Sequence, residues 1–290
     1  MSIGKQAKKA NNNFGGDWTT EKLEIIEKYF NAFATIMKNQ SWAKTVYIDA
    51  FAGSGEIKLA DTSITAGSPL IALQYDFSKY YFIEYDKKKI AKLEKLIECQ
   101  YPQKKSKVVF INGDCNEELP KIFFELSKDI STRGVLFLDP FALELKWSTL
   151  ELAQETKLDI FYWFPMMANR LIFKDKKKND AFREKLNILF GEEDWEEKLY
   201  KESQQINMFG EVVHDKQPAN ELVKYIADRL KALFDYQPSI RLFKNSKDSP
   251  LFLLCVMTTN TSEPARRLVK KLASEIFSKL DKNKIKRGEK

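Results

Sequence analysis

Five short, continuous apolar runs recur through the first part of the chain, at residues 45–50, 80–83, 108–111, 134–138 and 159–164. The first four are closed by acids: Asp49, Glu84 with Asp86, Asp114 behind Asn112-Gly113, and Asp139 ahead of Pro140. Helical spacing separates the runs, over 68–77 (opened by Ser68-Pro69), 87–99, 117–128 and 149–155. Strands that are apolar on both faces and alternate with helices build parallel sheets covered on both sides. Two later runs, 239–243 and 251–258, are joined by a short polar turn and predict an antiparallel hairpin. The fold expected is therefore α/β, a mostly parallel seven-stranded sheet with an antiparallel last hairpin and helices on both faces.

An opening helix is predicted from Thr19-Thr20-Glu21, with Leu23, Ile26, Tyr29, Phe30 and Phe33 on one face. Residues 165–216 break the alternation with a basic loop and an amphipathic helix over 180–190, the pattern of an insertion. The chain thus divides into a lead-in and helix (1–44), a core (45–164), the insertion (165–216), expected to recognise substrate, and a C-terminal part of the core with a basic tail (217–290). Helices over 218–234 and 263–280 belong to that last part.

The longest apolar run, 160–168, is too short to span a bilayer and is interrupted by Pro165. The first residues lack the apolar centre of a secretory signal. Cys99, Cys115 and Cys255 are scattered and form no CxxC pair. A cytoplasmic protein with no metal site and no disulfide framework is expected. His214, the only histidine, stands in a polar stretch that gives a catalytic triad no support. The formal net charge of +7, with lysines clustered at 87–89, 174–178 and 279–290, favours a polyanionic partner such as nucleic acid. Any one of these clusters is also what a solvated helix face carries.

After the first run, Asp49-Ala50-Phe51-Ala52-Gly53-Ser54-Gly55 brings glycines to a strand end, where backbone must approach something closely. The spacing of a phosphate-binding loop is missing, and Lys58 stands where a dinucleotide fingerprint needs a third small residue. A nucleoside-like ligand lying across the strand ends remains.

This loop resembles the Asp-x-Phe-x-Gly-Ser-Gly form of the S-adenosylmethionine loop in class I methyltransferases. That version is typical of enzymes that methylate exocyclic amines of bases in DNA or rRNA. In order, YIDAFAGSGE, AGSPLIAL, YFIEYD, GDCNEEL, VLFLDPFALELKW and PLFLLCVMTTN are similar to the three-Cys-motif partner protein (TcmP) family, and they spread over residues 47–260. The resemblance implies a Rossmann-like class I methyltransferase fold with S-adenosyl-L-methionine as cofactor. It implies cofactor contacts from Asp49 and Phe51, and from Gly53 and Gly55, where a Cβ would collide with the methionine part. Glu84 would accept from the ribose hydroxyls, and Asp114 and Cys115 would lie at the adenine.

Asp139-Pro140-Phe141 is similar to the element Asp/Asn-Pro-Pro-Tyr/Phe, whose acid and proline carbonyl accept hydrogen bonds from the reacting amine and whose ring stacks on the base. It has one proline fewer, and Asp-Pro-Phe also looks like the element of some tRNA guanine-N2 methyltransferases. Adenine N6 and guanine N2, and DNA and RNA, therefore all stay open. Asn169 and Arg170, past the fifth run, are the expected substrate contacts, and 170–178 the expected nucleic-acid surface. The family name implies a partner with a three-Cys motif, an iron–sulfur-type protein. An alternative role follows, a catalytically weak or inactive recognition subunit. Blander roles also stand: Asp114 as a helix N-cap, Asp139-Pro140 as a strand-ending turn, and Trp147, Trp163, Phe164 and Trp195 as core instead of base-stacking platforms.

Overall fold

The computed structural model describes residues 17–59, 63–174, 176–206 and 212–287. Most of the lead-in, Asp175 of the basic stretch and the end of the basic tail lie outside the described residues.

Seven strands form one sheet: β1 (Lys44–Asp49), β2 (Lys79–Glu84), β3 (Val108–Asn112), β4 (Thr132–Leu138), β5 (Leu158–Pro165), β6 (Ser239–Lys244) and β7 (Pro250–Thr258). Their order is β6-β7-β5-β4-β1-β2-β3. Strands β1 to β5 pair in parallel, and β7 runs antiparallel to both β5 and β6. This is the mostly parallel sheet with an antiparallel closing hairpin that the apolar runs predict. The central strands β1, β4 and β5 are buried along nearly their whole length, which is why they read as unbroken apolar runs.

Ten helices accompany the sheet among the described residues: α1 (Asp17–Met37), α2 (Ser68–Ala72), α3 (Lys87–Gln100), α4 (Cys115–Ser127), α5 (Trp147–Glu151), α6 (Ala168–Leu171), α7 (Arg183–Phe190), α8 (Trp195–Leu199), α9 (Ala219–Phe234) and α10 (Glu263–Arg287). Helices α1, α2, α3 and α10 cover one face through residues such as Ile26, Phe30, Leu70, Leu93 and Val269. Helices α4, α5 and α9 cover the other through Leu119, Phe123, Leu150, Leu222 and Ile226. From the 165–216 segment, Leu189, Phe190 and Trp195 join this second core. Asn179, fully buried, donates to Glu196 and to the Tyr200 hydroxyl and pins the segment from within. Trp147, Trp163, Phe164 and Trp195 are all buried and serve as core. No helix among the described residues is long and apolar enough to cross a membrane.

One local expectation is corrected. The helix opened by Ser68-Pro69 stops at Ala72 instead of continuing to residue 77. The chain must turn there to enter β2, and the Tyr80 hydroxyl holds the turn by accepting from Phe77 N and donating to the Tyr75 carbonyl. Between β1 and α2, Glu56–Lys58 pairs antiparallel with Ile64–Ala66.

Candidate active site

The carboxyl ends of β1 to β4 open into a cavity of about 1000 Å³. It lies where the strand order reverses between β1 and β4, the place where open α/β sheets take their ligands. Phe51, Gly53, Glu84, Asp114, Cys115, Asp139, Pro140 and Phe141 all line it. Asp49 and Gly55 stand behind the wall, and Asn169 and Arg170, on α6, are not part of it.

Asp49 is fully buried at the end of β1. Its Oδ2 accepts from Ser68 Oγ at 2.7 Å and from the Tyr47 hydroxyl at 3.0 Å, and its Oδ1 from Phe51 N at 3.2 Å. It ties the glycine loop to the start of α2. Gly53 follows at φ +63°, with open space where a Cβ would project, and its N–H donates to Glu84 Oε2 at 2.9 Å. Gly55, at φ +81°, has another reason to be glycine than the one expected. A Cβ there would sit 2.6 Å from Leu93 Cδ1, so its absence leaves room for that side chain of α3.

Burial pushes the Asp49 carboxyl up to about 6, against its three hydrogen bonds, which pull the other way. A carboxyl raised in this way holds its proton more tightly folded than unfolded. Stability therefore falls as pH rises from about 4, the unfolded value, through about 6, and is level above that. Asp159, which accepts from the Tyr29 hydroxyl, is raised to about 6 by burial as well and adds the same sign. Denaturant midpoints should isolate the Asp49 share. The difference between Asp49→Asn and wild type moves in the variant's favour between about pH 4 and pH 7, by up to about 3 kcal/mol. A difference that does not change with pH would contradict this.

Glu84 joins two loops, since its Oε1 accepts from Asp86 N at 2.9 Å while its Oε2 holds Gly53. An ionised carboxylate has about four accepting positions, so it keeps capacity for hydroxyl donors. Asp114 caps α4, its Oδ1 accepting from Asn116 N and Nδ2 at 2.8 Å each, and also lines the cavity. The capping and cavity positions coexist. Cys115 is buried, and burial foremost pushes its thiol up to about 12, so at neutral pH it is an apolar wall and not a nucleophile.

Asp139 and Pro140 follow β4, and Phe141 is 67% exposed at the cavity rim. Phe141 N donates to Glu144 Oε2 at 3.1 Å. Asn116 fixes the rest of this loop, donating to the Glu144 carbonyl and accepting from Lys146 N and Thr149 Oγ1. The largest departure from expectation is Lys22. From α1 it reaches across the cavity wall, and its Nζ donates to Asp139 Oδ2 in an ion pair. Trp18 and Thr19 of α1 line the cavity too, with Trp18 packed on Phe252 of β7 at 5.3 Å between centroids.

Sequence reasoning misses Lys22, Trp18, Asn116, Glu144 and Phe252. One signal for Lys22 was present. It falls on the α1 stripe that carries Trp18, Ile25, Ile26 and Tyr29, and a lysine inside an apolar stripe needs a partner. Among the described residues, no group of three His, Cys, Asp or Glu could hold a metal ion.

No protein-family model matches the chain, and no curated protein does. Solved structures with a similar course of chain include Trm1 from Pyrococcus horikoshii in complex with S-adenosyl-L-methionine, at 10% identity, TM-score 0.44, covering 87% of this chain and 58% of that one. The N-terminal domain of EvdMO1, solved with SAH and D-fucose, is similar at 12% identity and TM-score 0.42, covering 80% and 81%. The methyltransferase domain of bacterial CtHen1 is similar at 10% identity and TM-score 0.37, covering 81% and 99%. At this distance they assign no chemistry to this chain.

Proposed function

We propose that this protein is an S-adenosyl-L-methionine-dependent methyltransferase acting on an exocyclic base amine, adenine N6 or guanine N2, in DNA or RNA. The observation that carries the reading is one cavity in which the acid-bearing ends of β2, β3 and β4 meet an open glycine turn after β1. This set fits the cofactor: the wall is open at Gly53, and Glu84 keeps accepting capacity after satisfying both loops. Glu84 would take the ribose hydroxyls, Asp114 and Cys115 the adenine, and the Phe51–Gly53 turn the methionine part, with Asp49 holding that turn from behind. When bound, the cofactor supplies a methyl group on a positively charged sulfur.

Asp139 and the Pro140 carbonyl would accept the two N–H bonds of the amine and turn its lone pair out of conjugation with the ring. Phe141 offers an exposed aromatic face to the base. Asn169, Arg170 and the 165–216 segment would contact the nucleic acid outside the cavity, in a reducing, cytoplasmic setting. Calorimetric titration with S-adenosyl-L-methionine and its demethylated product tests the cofactor half. Saturable heat is expected, and no heat at high micromolar ligand would sink the reading.

A second reading is favoured by the Lys22–Asp139 pair, which already engages the acid that would receive the amine. In that case the chain is a recognition subunit for a three-Cys-motif iron–sulfur-type protein. Co-purification with such a partner, without methyl transfer to any nucleic acid, would favour it.

A further inference from the structure

We infer that Lys22 sets the charge class of the acceptor, making the site select an uncharged aromatic amine and reject an alkylammonium. This rests on the methyltransferase reading of the cavity and deepens it. Lys22 is 8% exposed, its ammonium facing the rings of Trp163 at 4.9 Å and Phe137 at 5.8 Å and bonded to Asp139 Oδ2. The turn of its helix that precedes it is pinned twice. Glu21 is buried and pairs with Arg241 at 2.6 Å, while Trp18 packs on Phe252. Helix α1 therefore delivers a fixed positive charge to one oxygen of the acid.

Asp139 Oδ1 makes no hydrogen bond to a described residue. A neutral amine can donate an N–H to that oxygen at no electrostatic disadvantage. An ammonium arriving there would find the carboxylate charge compensated and a second cation a few ångströms away, with aromatic rings in place of screening water. Trp18 and Phe252, on the same wall, offer aromatic surface that suits a ring.

Aniline and benzylamine make the test. They are similar in size, and near neutral pH aniline is uncharged while benzylamine is a cation. Dissociation constants of both for the full-length protein, by ligand-observed NMR without methyl donor, should show that wild type prefers aniline. Lys22→Met keeps the side-chain length among the rings and should shift the preference towards benzylamine by about tenfold or more. Lys22→Arg keeps the charge and should keep the wild-type preference.

An unchanged ratio in folded Lys22→Met overturns the proposal, as does a wild type that prefers benzylamine or binds neither amine. Should Lys22→Met fail to fold, Lys22→Gln removes the charge but keeps a donor for Asp139 and should shift the preference in the same direction, and a wild-type preference retained there overturns the proposal equally. Failure of the cofactor reading would show separately, as the absence of heat with S-adenosyl-L-methionine.

Discussion

Asp139→Ala is expected to lower methyl transfer to nucleic acid on the order of 100-fold or more, while S-adenosyl-L-methionine affinity stays within about threefold. The reason for the split is spatial. Asp139 follows β4 and bonds Lys22, whereas the residues proposed to hold the cofactor, Gly53, Glu84 and Asp114, stand at the ends of β1, β2 and β3 and are held by hydrogen bonds between Gly53 and Glu84 and between Asp114 and Asn116. The substitution also strands the Lys22 ammonium among rings. Breaking one half of a fully buried pair costs about 3–5 kcal/mol. The Asp139 side chain is 26% exposed, so the loss of stability should fall below that range. The double variant Lys22→Met/Asp139→Ala removes the stranded charge and should regain thermal stability without regaining transfer. Transfer restored in the double variant would mean that Asp139 serves only as the counter-ion of Lys22.

Glu84→Ala should weaken S-adenosyl-L-methionine binding on the order of 100-fold by calorimetry, since two charge-assisted hydrogen bonds to the ribose are lost together. The effect is compounded in the loops. Gly53 N and Asp86 N both lose their acceptor, so the turn that opens the cavity wall and the lead into α3 loosen at once. Glu84→Gln keeps a carbonyl acceptor and should lose on the order of tenfold. Affinity equal to wild type in Glu84→Ala would take Glu84 out of the site.

Much of the sheet was legible because a strand buried on both faces has to be largely apolar, as β1, β4 and β5 are along most of their length. The acids at their ends were legible for the complementary reason: at the carboxyl edge of such a sheet, a charged residue faces the ligand crevice or caps a helix. Asp114 does both. Short elements were not legible, because tertiary geometry decides them. Nothing in LIALQYDF says that the helix must stop at Ala72 to let Tyr80 close the turn into β2. Gly55 was read as glycine for a ligand alone; that it also spares Leu93 of α3, far along the chain, no local pattern shows. Lys22 lies 117 residues from Asp139, and no local pattern links them. Its place in an apolar stripe shows that it needs a partner but not which one.

The proposed reaction is movement of a methyl group from S-adenosyl-L-methionine to a base amine through Asp139. Incubation with methyl-labelled S-adenosyl-L-methionine and mixed DNA and RNA, followed by nucleoside mass spectrometry, tests it most directly. Label is expected on an exocyclic amine with wild type and none above background with Asp139→Ala. Cofactor bound by wild type with no label on any nucleoside, or label undiminished in Asp139→Ala, would contradict it.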